Sequence, residues 1–181
     1  FEKDKDGLWQ AKIPDVASGK WYFEQLFFNG RRAVRARTPN KWYHHMGNSS
    51  EAPVEAQQGQ FRRTTEVHGD ALKLLEDLAG PEIRDVTLVA YHKWCITRRF
   101  LTDIDTSRNI IVTVGEQLMS YSGWPDNTRF HLENFKPALD APGEWFLSRD
   151  GTLYYKPAPG EDMTKAEVFA PAARGRAGDD H

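Results

Sequence analysis

Two aspartates stand at a spacing that suits bond cleavage. Asp103 and Asp105 are separated by one residue, so an extended chain places both carboxylates on one side, about 7 Å apart. Glycoside hydrolysis uses two carboxyl groups roughly 5 to 9.5 Å apart, one as acid and the other as base or nucleophile. The pair directly precedes Thr106-Ser107-Arg108-Asn109, however, and aspartate beside a turn is commonly a turn-former. The sequence therefore favours a solvated turn, and no residue is predicted to be catalytic.

An aromatic cluster suits carbohydrate binding better than bond cleavage. Trp42, Tyr43 and His44 follow closely after Pro39, and a loop can project flat apolar rings into a groove, where they stack on pyranose faces. The alternative interpretation is that the loop tucks these rings into the core. We take all three as candidate substrate contacts.

Four further residues complete the candidate contacts. Arg37 and Asn40 flank the proline before the aromatic cluster. His92 and Trp94 share one side of an extended segment. For His92 and Trp94 the favoured interpretation is structural: Trp94 is buried in the core and His92 is hydrogen-bonded to the backbone, because buried aromatics dominate core energetics. A polar, stacking face turned towards a sugar is the alternative.

Two patterns have simpler explanations than ligand binding. His44-His45 suggests a metal site, but adjacent strand residues point to opposite faces, and no second His or Cys pair lies at ligand spacing. We predict no metal site and no cofactor, since phosphate-cradling glycine loops and nucleophile elbows are also lacking in the sequence. Arg31, Arg35 and Arg37 suit the binding of an acidic sugar, but a basic strand face is more commonly solvated or paired with acids.

Composition excludes several classes of partner. The 181 residues include 24 Lys plus Arg and 26 Asp plus Glu, for a net charge of −2, so no single-sign field would gather nucleic acid. The sequence has no apolar run near the roughly 20 residues that span a bilayer, and we predict no membrane partner. Cys95 is the one cysteine, which rules out an intrachain disulfide. Because Phe1 stands where a leader would begin, we expect a piece of a longer protein.

Strand signals dominate the chain. Asn29-Gly30 separates an aromatic segment, residues 21–28, from the alternating segment 31–37, and Asn-Gly favours a two-residue hairpin. A second hairpin is predicted around Ser148-Arg149-Asp150-Gly151. Further predicted strands cover residues 85–91, 94–101 and 109–114, whereas the polar segment 47–60 is predicted to be mainly loop.

One helix is predicted, over about residues 70–79. Asp70 can cap it, Leu72, Leu75 and Leu78 recur on one face, and Gly80-Pro81 ends it. The expected fold is all-β: an antiparallel β-sandwich with this one short α-helix. A single domain is predicted over residues 1–170, followed by a disordered tail at 171–181 that lacks hydrophobic periodicity.

Three motifs together resemble a known family. They are residues 26–40, beginning Leu26-Phe27-Phe28-Asn29-Gly30, then Tyr91-His92-Lys93-Trp94 leading to Arg98, then residues 141–147 with 151–155. In this order they resemble the β-sandwich domain inserted in right-handed parallel β-helix glycosidases of the glycoside hydrolase family 141 type. The resemblance spans about residues 7–170. Two departures are Cys95, where a polar residue is expected, and a tail that does not continue into apolar coil sequence.

The resemblance implies a non-catalytic accessory domain of a polysaccharide-degrading enzyme, fucosidase- or xylanase-like. In such proteins the catalytic carboxylates belong to the β-helix, so no catalytic residue transfers to this chain. The implied partners are the parent β-helix domain in the same polypeptide and carbohydrate, and the implied location is secreted or periplasmic. Two other functions stay open: a free-standing carbohydrate-binding module and a purely structural interaction domain.

Overall fold

The computed structural model of the protein describes residues 1–5, 7–78, 80–119 and 123–171. The strands are β1 (Glu2–Lys3), β2 (Trp9–Lys12), β3 (Phe27–Phe28), β4 (Arg31–Arg32), β5 (Val34–Arg35), β6 (Arg37–Thr38), β7 (His44–Pro53), β8 (Gln60–Val67), β9 (Thr87–Tyr91), β10 (Ile96–Asp105), β11 (Ile110–Glu116), β12 (Arg129–Glu133), β13 (Glu144–Leu147), β14 (Thr152–Tyr155) and β15 (Val168–Phe169). The helices are α1 (Pro14–Ala17), α2 (Gly80–Ile83) and 3₁₀ turns at Lys73–Leu75 and Lys136–Ala138. The all-β class is confirmed.

The chain forms two compact units. One combines residues 1–35 with the described residues from 139 onward, and the other is the continuous segment Ala36–Ala138. The sequence-based prediction of a single domain over residues 1–170 stays a prediction. The predicted tail lies outside the described residues from residue 172 onward. No helix of the described part of the chain is long and apolar enough to cross a membrane.

The first unit contains two small sheets. One has the order β1-β2-β14-β13-β5, in which all pairs are antiparallel except β13 with β5, and the other has the order β15-β3-β4. Its core is built on aromatic contacts: Phe28 stacks on Tyr155 with ring centroids 4.0 Å apart, and Phe23 stacks on Trp145 at 5.5 Å. Both predicted hairpins are confirmed in this unit.

The second unit is a closed β-barrel. Its strands follow the order β6-β12-β7-β8-β11-β10-β9, and β9 also pairs with β12, so six strands form a ring. β7 pairs with β12 at residues 129–130, and β6 pairs with it at residues 132–133. In this unit a barrel replaces the predicted sandwich. The sheet closes because β12 pairs on both of its edges, which leaves no open edge in the ring. Phe130 and Leu132 of β12 and Leu88 of β9 are fully buried inside the ring.

The helix predicted over residues 70–79 is replaced by a single 3₁₀ turn, Lys73–Leu75. The backbone bonds here run from residue i to i+3: Lys73 N–H to the Asp70 carbonyl, Leu75 N–H to Leu72, and Leu78 N–H to Leu75. The leucine repeat of three residues that suggested an α-helix matches the three-residue period of the 3₁₀ form. Gly80 and Pro81 were predicted to end a helix, but they begin the next one, α2. Proline is tolerated there because the first turn of a helix does not need its backbone N–H.

Two other local predictions differ from the structure. The polar segment 47–60 was predicted to be a loop but lies mostly in β7 and β8. Polar cross-strand contacts hold this pair together, including a 2.8 Å bond between the Ser49 and Thr65 hydroxyls and a 2.7 Å ion pair between Arg63 and Glu51. The single strand predicted for residues 31–37 is split into β4, β5 and β6, which pair with three different strands. The segment therefore presents no continuous basic face.

Candidate functional site

The predicted aromatic loop connects β6 to β7 in the second unit. Trp42 adopts a positive φ of 66° and its side chain is 83 % exposed. Positive φ is costly for a bulky residue, and the Arg37 guanidinium holds the loop by donating to the carbonyl of Pro39 (3.1 Å) and to that of Trp42 (3.4 Å). Arg37 thus positions the loop that carries the ring. Asn40 is exposed in the same loop.

Tyr43 turns back onto the barrel. Its ring packs edge-on against Tyr91 with centroids 4.9 Å apart, and the Arg129 guanidinium lies 5.2 Å above it. Tyr43 therefore joins the loop to the ends of β9 and β12.

His44 lies on the other side of β7 from these contacts. It pairs in register with Phe130, and their rings are 5.6 Å apart, so the side chain packs towards the barrel interior. Burial lowers the pKa of His44 from its ordinary value. The structure does not bring this residue together with the other candidate contacts.

His92 and Trp94 lie in the connection between β9 and β10, and they line an open cavity of about 840 Å³. We call it the Trp94 cavity. Its wall is formed by residues of four segments: Ser49, Arg63, Tyr91, His92, Lys93, Trp94, Gly123, Trp124, Pro125, Asp126, Asn127, Thr128 and Arg129.

Trp94 is 86 % exposed, which differs from the buried position that the sequence analysis favoured. The strand β9 ends at Tyr91, so residues 92–95 do not continue the alternation that would have turned this ring into the core. His92 is anchored by a 2.9 Å contact between its Nε2 and the Thr97 hydroxyl, and partial burial lowers its pKa.

Beside the cavity, four polar side chains form a connected chain that we call the His131 network: Tyr91, His131, Glu133 and Arg98. Tyr91 Oη lies 3.1 Å from His131 Nδ1, His131 Nε2 lies 3.1 Å from a Glu133 carboxylate oxygen, and Arg98 donates to the other oxygen. Burial lowers the pKa of His131 and raises the pKa of Tyr91. A neutral imidazole fits these contacts, donating from Nε2 to Glu133 and accepting at Nδ1 from Tyr91.

Three residues at this site, Arg129, His131 and Glu133, were not predicted from the sequence. The signal was present in Arg129-Phe130-His131-Leu132-Glu133, where polar and apolar residues alternate with the period of a strand. That alternation places all three polar side chains on one face of β12, opposite Phe130.

Asp103 and Asp105, the carboxylate pair with a spacing suited to glycoside hydrolysis, lie at the end of β10, where Asp105 accepts hydrogen bonds from the turn to β11. Hydrogen bonds from Ser107 and then Arg108 lower the pKa of Asp105 to about 2, and its Oδ1 lies 2.6 Å from the Ser107 hydroxyl. Asp103 accepts the backbone N–H of Ile104. A general acid needs a raised pKa, so the state of Asp105 supports the turn-forming interpretation.

Among the residues that the structure describes, no group of three or more His, Cys, Asp or Glu side chains is placed to hold a metal ion. The arrangement around the Trp94 cavity is suited to binding, because an exposed aromatic ring and two exposed cations line it and the His131 network lies beside it. Stacking and charge-assisted hydrogen bonds are the chemistry it offers.

A comparison with solved structures finds a protein of similar fold. No protein-family model matches the chain, and no curated protein matches its sequence. The solved structure, described as "Glycoside hydrolase", superposes with a TM-score of 0.67 at 23 % identity, over 94 % of this chain and 30 % of that chain. The protein therefore has the fold of a domain-sized part of a glycoside hydrolase and spans about a third of its length.

Proposed function

We propose that the protein is a non-catalytic accessory domain of a larger glycoside hydrolase that acts on polysaccharide, and that it is inserted in a parallel β-helix parent. The observation that carries the proposal is the fold similarity, which extends over nearly all of this chain and under a third of a hydrolase. In this proposal the catalytic carboxylates belong to the parent, and the whole enzyme is secreted or periplasmic.

The domain's first role in this proposal is to form one wall of the substrate cleft. Trp42 supports it, because an indole ring that is 83 % exposed, on a loop fixed by Arg37, is available for stacking on a sugar. Tyr43 anchors the same loop to the barrel.

The second role is packing on the parent. Ile96 and Phe100 lie on the outward face of β10, where they are 57 % and 44 % exposed, with Arg98 between them on the same face. Two exposed apolar side chains on the same outward strand face suit a contact surface, and Arg98 between them can contribute a polar contact. We assign this pair to the contact with the β-helix.

The catalytic part of the proposal is tested with the 181-residue chain and the complete gene product, assayed side by side on polysaccharide. We expect release of reducing ends from the complete product only. Cleavage by the 181-residue chain alone would refute the accessory role.

The cleft role is tested with Trp42→Ala in the complete enzyme, using Phe169→Ala as a control because that exposed aromatic ring belongs to the other unit. We expect the KM for oligosaccharides to rise several-fold for Trp42→Ala and to be unchanged for the control. Equal kinetics for the two variants, both folded, would remove the cleft role.

A free-standing carbohydrate-binding module is the second candidate, and the exposed Trp94 beside an open cavity favours it. The two candidates differ in a measurable way. If the chain is a carbohydrate-binding module, its deletion from the complete gene product should lower binding to insoluble polysaccharide and leave the turnover of soluble oligosaccharides intact. If the chain forms a cleft wall, the turnover of soluble oligosaccharides should fall.

A further inference from the structure

We propose that the Trp94 cavity binds an anionic saccharide, a sugar chain bearing a carboxylate or a sulfate group, with Trp94 stacked on a sugar ring and Lys93 and Arg129 contacting the acid group. The inference rests on the proposed function in one respect, since it assumes that the domain meets carbohydrate. It adds the chemical class of that carbohydrate and a site at the Trp94 cavity, whose lining does not include Trp42.

The first support is an uncompensated positive charge in the cavity wall. Lys93 and Arg129 are both exposed, and neither has an ion-pair partner within the described residues. Arg129 is held by its position 5.2 Å above the Tyr43 ring, an interaction that orients the guanidinium without neutralising it. A guanidinium and an ammonium free of partners favour an acidic group.

Two other charged side chains line the wall. Arg63 forms a 2.7 Å ion pair with Glu51, and Asp126 lies 3.1 Å from His68 and accepts from Asn127. Asp126 keeps its negative charge wherever His68 is neutral, so the wall offers a ligand two exposed cations and one exposed carboxylate, and its net charge is positive.

The second support is a pair of buried donors without acceptors. Trp124 is only 3 % exposed, and its indole N–H has no hydrogen-bond partner in the described part of the chain; the same holds for Nε of Arg63. Both residues line the cavity, and the Arg63 guanidinium lies 5.1 Å above the Trp124 ring. Buried donors are almost always satisfied in folded proteins, so these two unpaired donors mark the part of the wall where a small shift of a side chain would give a ligand oxygen or a water molecule a hydrogen bond.

The third support is the exposed ring itself. A tryptophan that is 86 % exposed, at the rim of a cavity of about 840 Å³, offers a stacking platform next to Lys93. A volume of this size falls within the range of roughly 300 to 1,000 Å³ typical of small-ligand sites. The combination of a flat apolar ring with adjacent cations fits a sugar that carries an acid group better than a neutral one.

The test is a titration of the ¹⁵N-labelled 181-residue chain, followed by amide chemical shifts, with three probes: trigalacturonate, a sulfated trisaccharide and neutral galactotriose. We expect one of the acidic probes to bind at least tenfold more tightly than galactotriose in dilute salt, with shifts centred on residues 91–94 and 124–129. The acidic probe that binds more tightly identifies the acid group. Binding should weaken when the salt concentration is raised, because exposed charges are screened.

Matched variants locate the binding site. The double variant Lys93→Gln/Arg129→Gln should lose at least tenfold in affinity, and Trp94→Ala should lose a similar amount. Arg32→Gln, which removes an exposed cation of the other unit, and Phe169→Ala, which removes an exposed ring there, should leave the affinity unchanged. The dispersed spectrum of each variant reports that it is folded.

The inference would be overturned if galactotriose bound as tightly as both acidic probes, or if none of the three probes bound. It would also be overturned if the double variant bound the acidic probe as tightly as Arg32→Gln does. Neither result depends on the accessory role, which is decided by polysaccharide cleavage and by Trp42→Ala in the complete enzyme. The two proposals can therefore fail separately.

Discussion

Removing the Tyr91 hydroxyl tests whether the His131 network stabilises the barrel. The hydroxyl oxygen lies 3.1 Å from His131 Nδ1, and His131 is 4 % exposed. Tyr91→Phe would leave this buried nitrogen without its donor. We expect Tyr91→Phe to lower the free energy of unfolding by about 1–2 kcal/mol, the usual cost of leaving a buried acceptor unsatisfied.

Tyr43→Phe is the matched control. Tyr43 packs against Tyr91, and within the described residues its hydroxyl has no hydrogen-bond partner, so its loss should cost less than about 0.5 kcal/mol. Both variants keep their rings, which leaves the contact between rings 4.9 Å apart in place. The comparison therefore isolates the hydrogen bond.

The assay is urea denaturation at neutral pH, followed by tryptophan fluorescence and by far-ultraviolet circular dichroism. The two probes are needed because two compact units can unfold in separate steps. Equal midpoints for Tyr91→Phe and Tyr43→Phe, with equal slopes, would show that the contact does not stabilise the barrel. A destabilisation of the step assigned to residues 36–138 would support the network.

Two further predictions concern protonation and backbone conformation. Burial lowers the pKa of His131 and of His44 below the ordinary value of 6.5, so the unfolded chain binds more protons than the folded one. The free energy of unfolding should therefore fall as pH drops from about 7.5 through 6.5 and below, and His131→Gln should reduce that slope in pH-dependent urea melts; a stability that rises on acidification would contradict the assignment. Gly151 has a φ of +80°, and an added Cβ would lie 2.6 Å from the Ile13 carbonyl oxygen, whereas Gly19, with a φ of +72°, has open space. We expect Gly151→Ala to cost more than about 3 kcal/mol and Gly19→Ala about 1 kcal/mol in thermal or urea unfolding; equal costs would show that the close contact is not limiting.

The sequence was sufficient to predict the elements whose conformation is determined by neighbouring residues in the chain. Asn29 and Gly30 adopt φ values of 49° and 75°, the left-handed pair that an Asn-Gly hairpin requires. The strands β9, β10 and β11 are rich in β-branched residues, and each was predicted within a few residues of its observed bounds. In these segments local preference and tertiary pairing agree.

Prediction failed where pairing between distant segments decides the conformation. The segment that became β7 lacks apolar alternation, and it is a strand because Ser49 and Glu51 find partners on β8. Closure of the barrel likewise depends on β12 pairing with β9, about 40 residues earlier in the chain. Neither partner choice is encoded in a local window of sequence.

The candidate site shows the same division. Trp42 was identified because an aromatic cluster after a proline is a local pattern, and its exposure was one of the two interpretations left open. Arg129 and His131 could not be placed beside Tyr91 without the register of β12 against β9. Their role depends on which strand is adjacent, and that information comes from the fold.

Strand β12 links the apolar core of the barrel to the polar side chains at and beside the Trp94 cavity. Phe130 and Leu132 are fully buried and fix the register of the strand within the ring. Because side chains alternate along a strand, the same register sets Arg129 and His131 on the outward face, where Tyr91 contacts one and Tyr43 supports the other. A slip of one residue would exchange the two sets and bury an arginine, so the packing of the core and the position of the cation at the cavity are determined together.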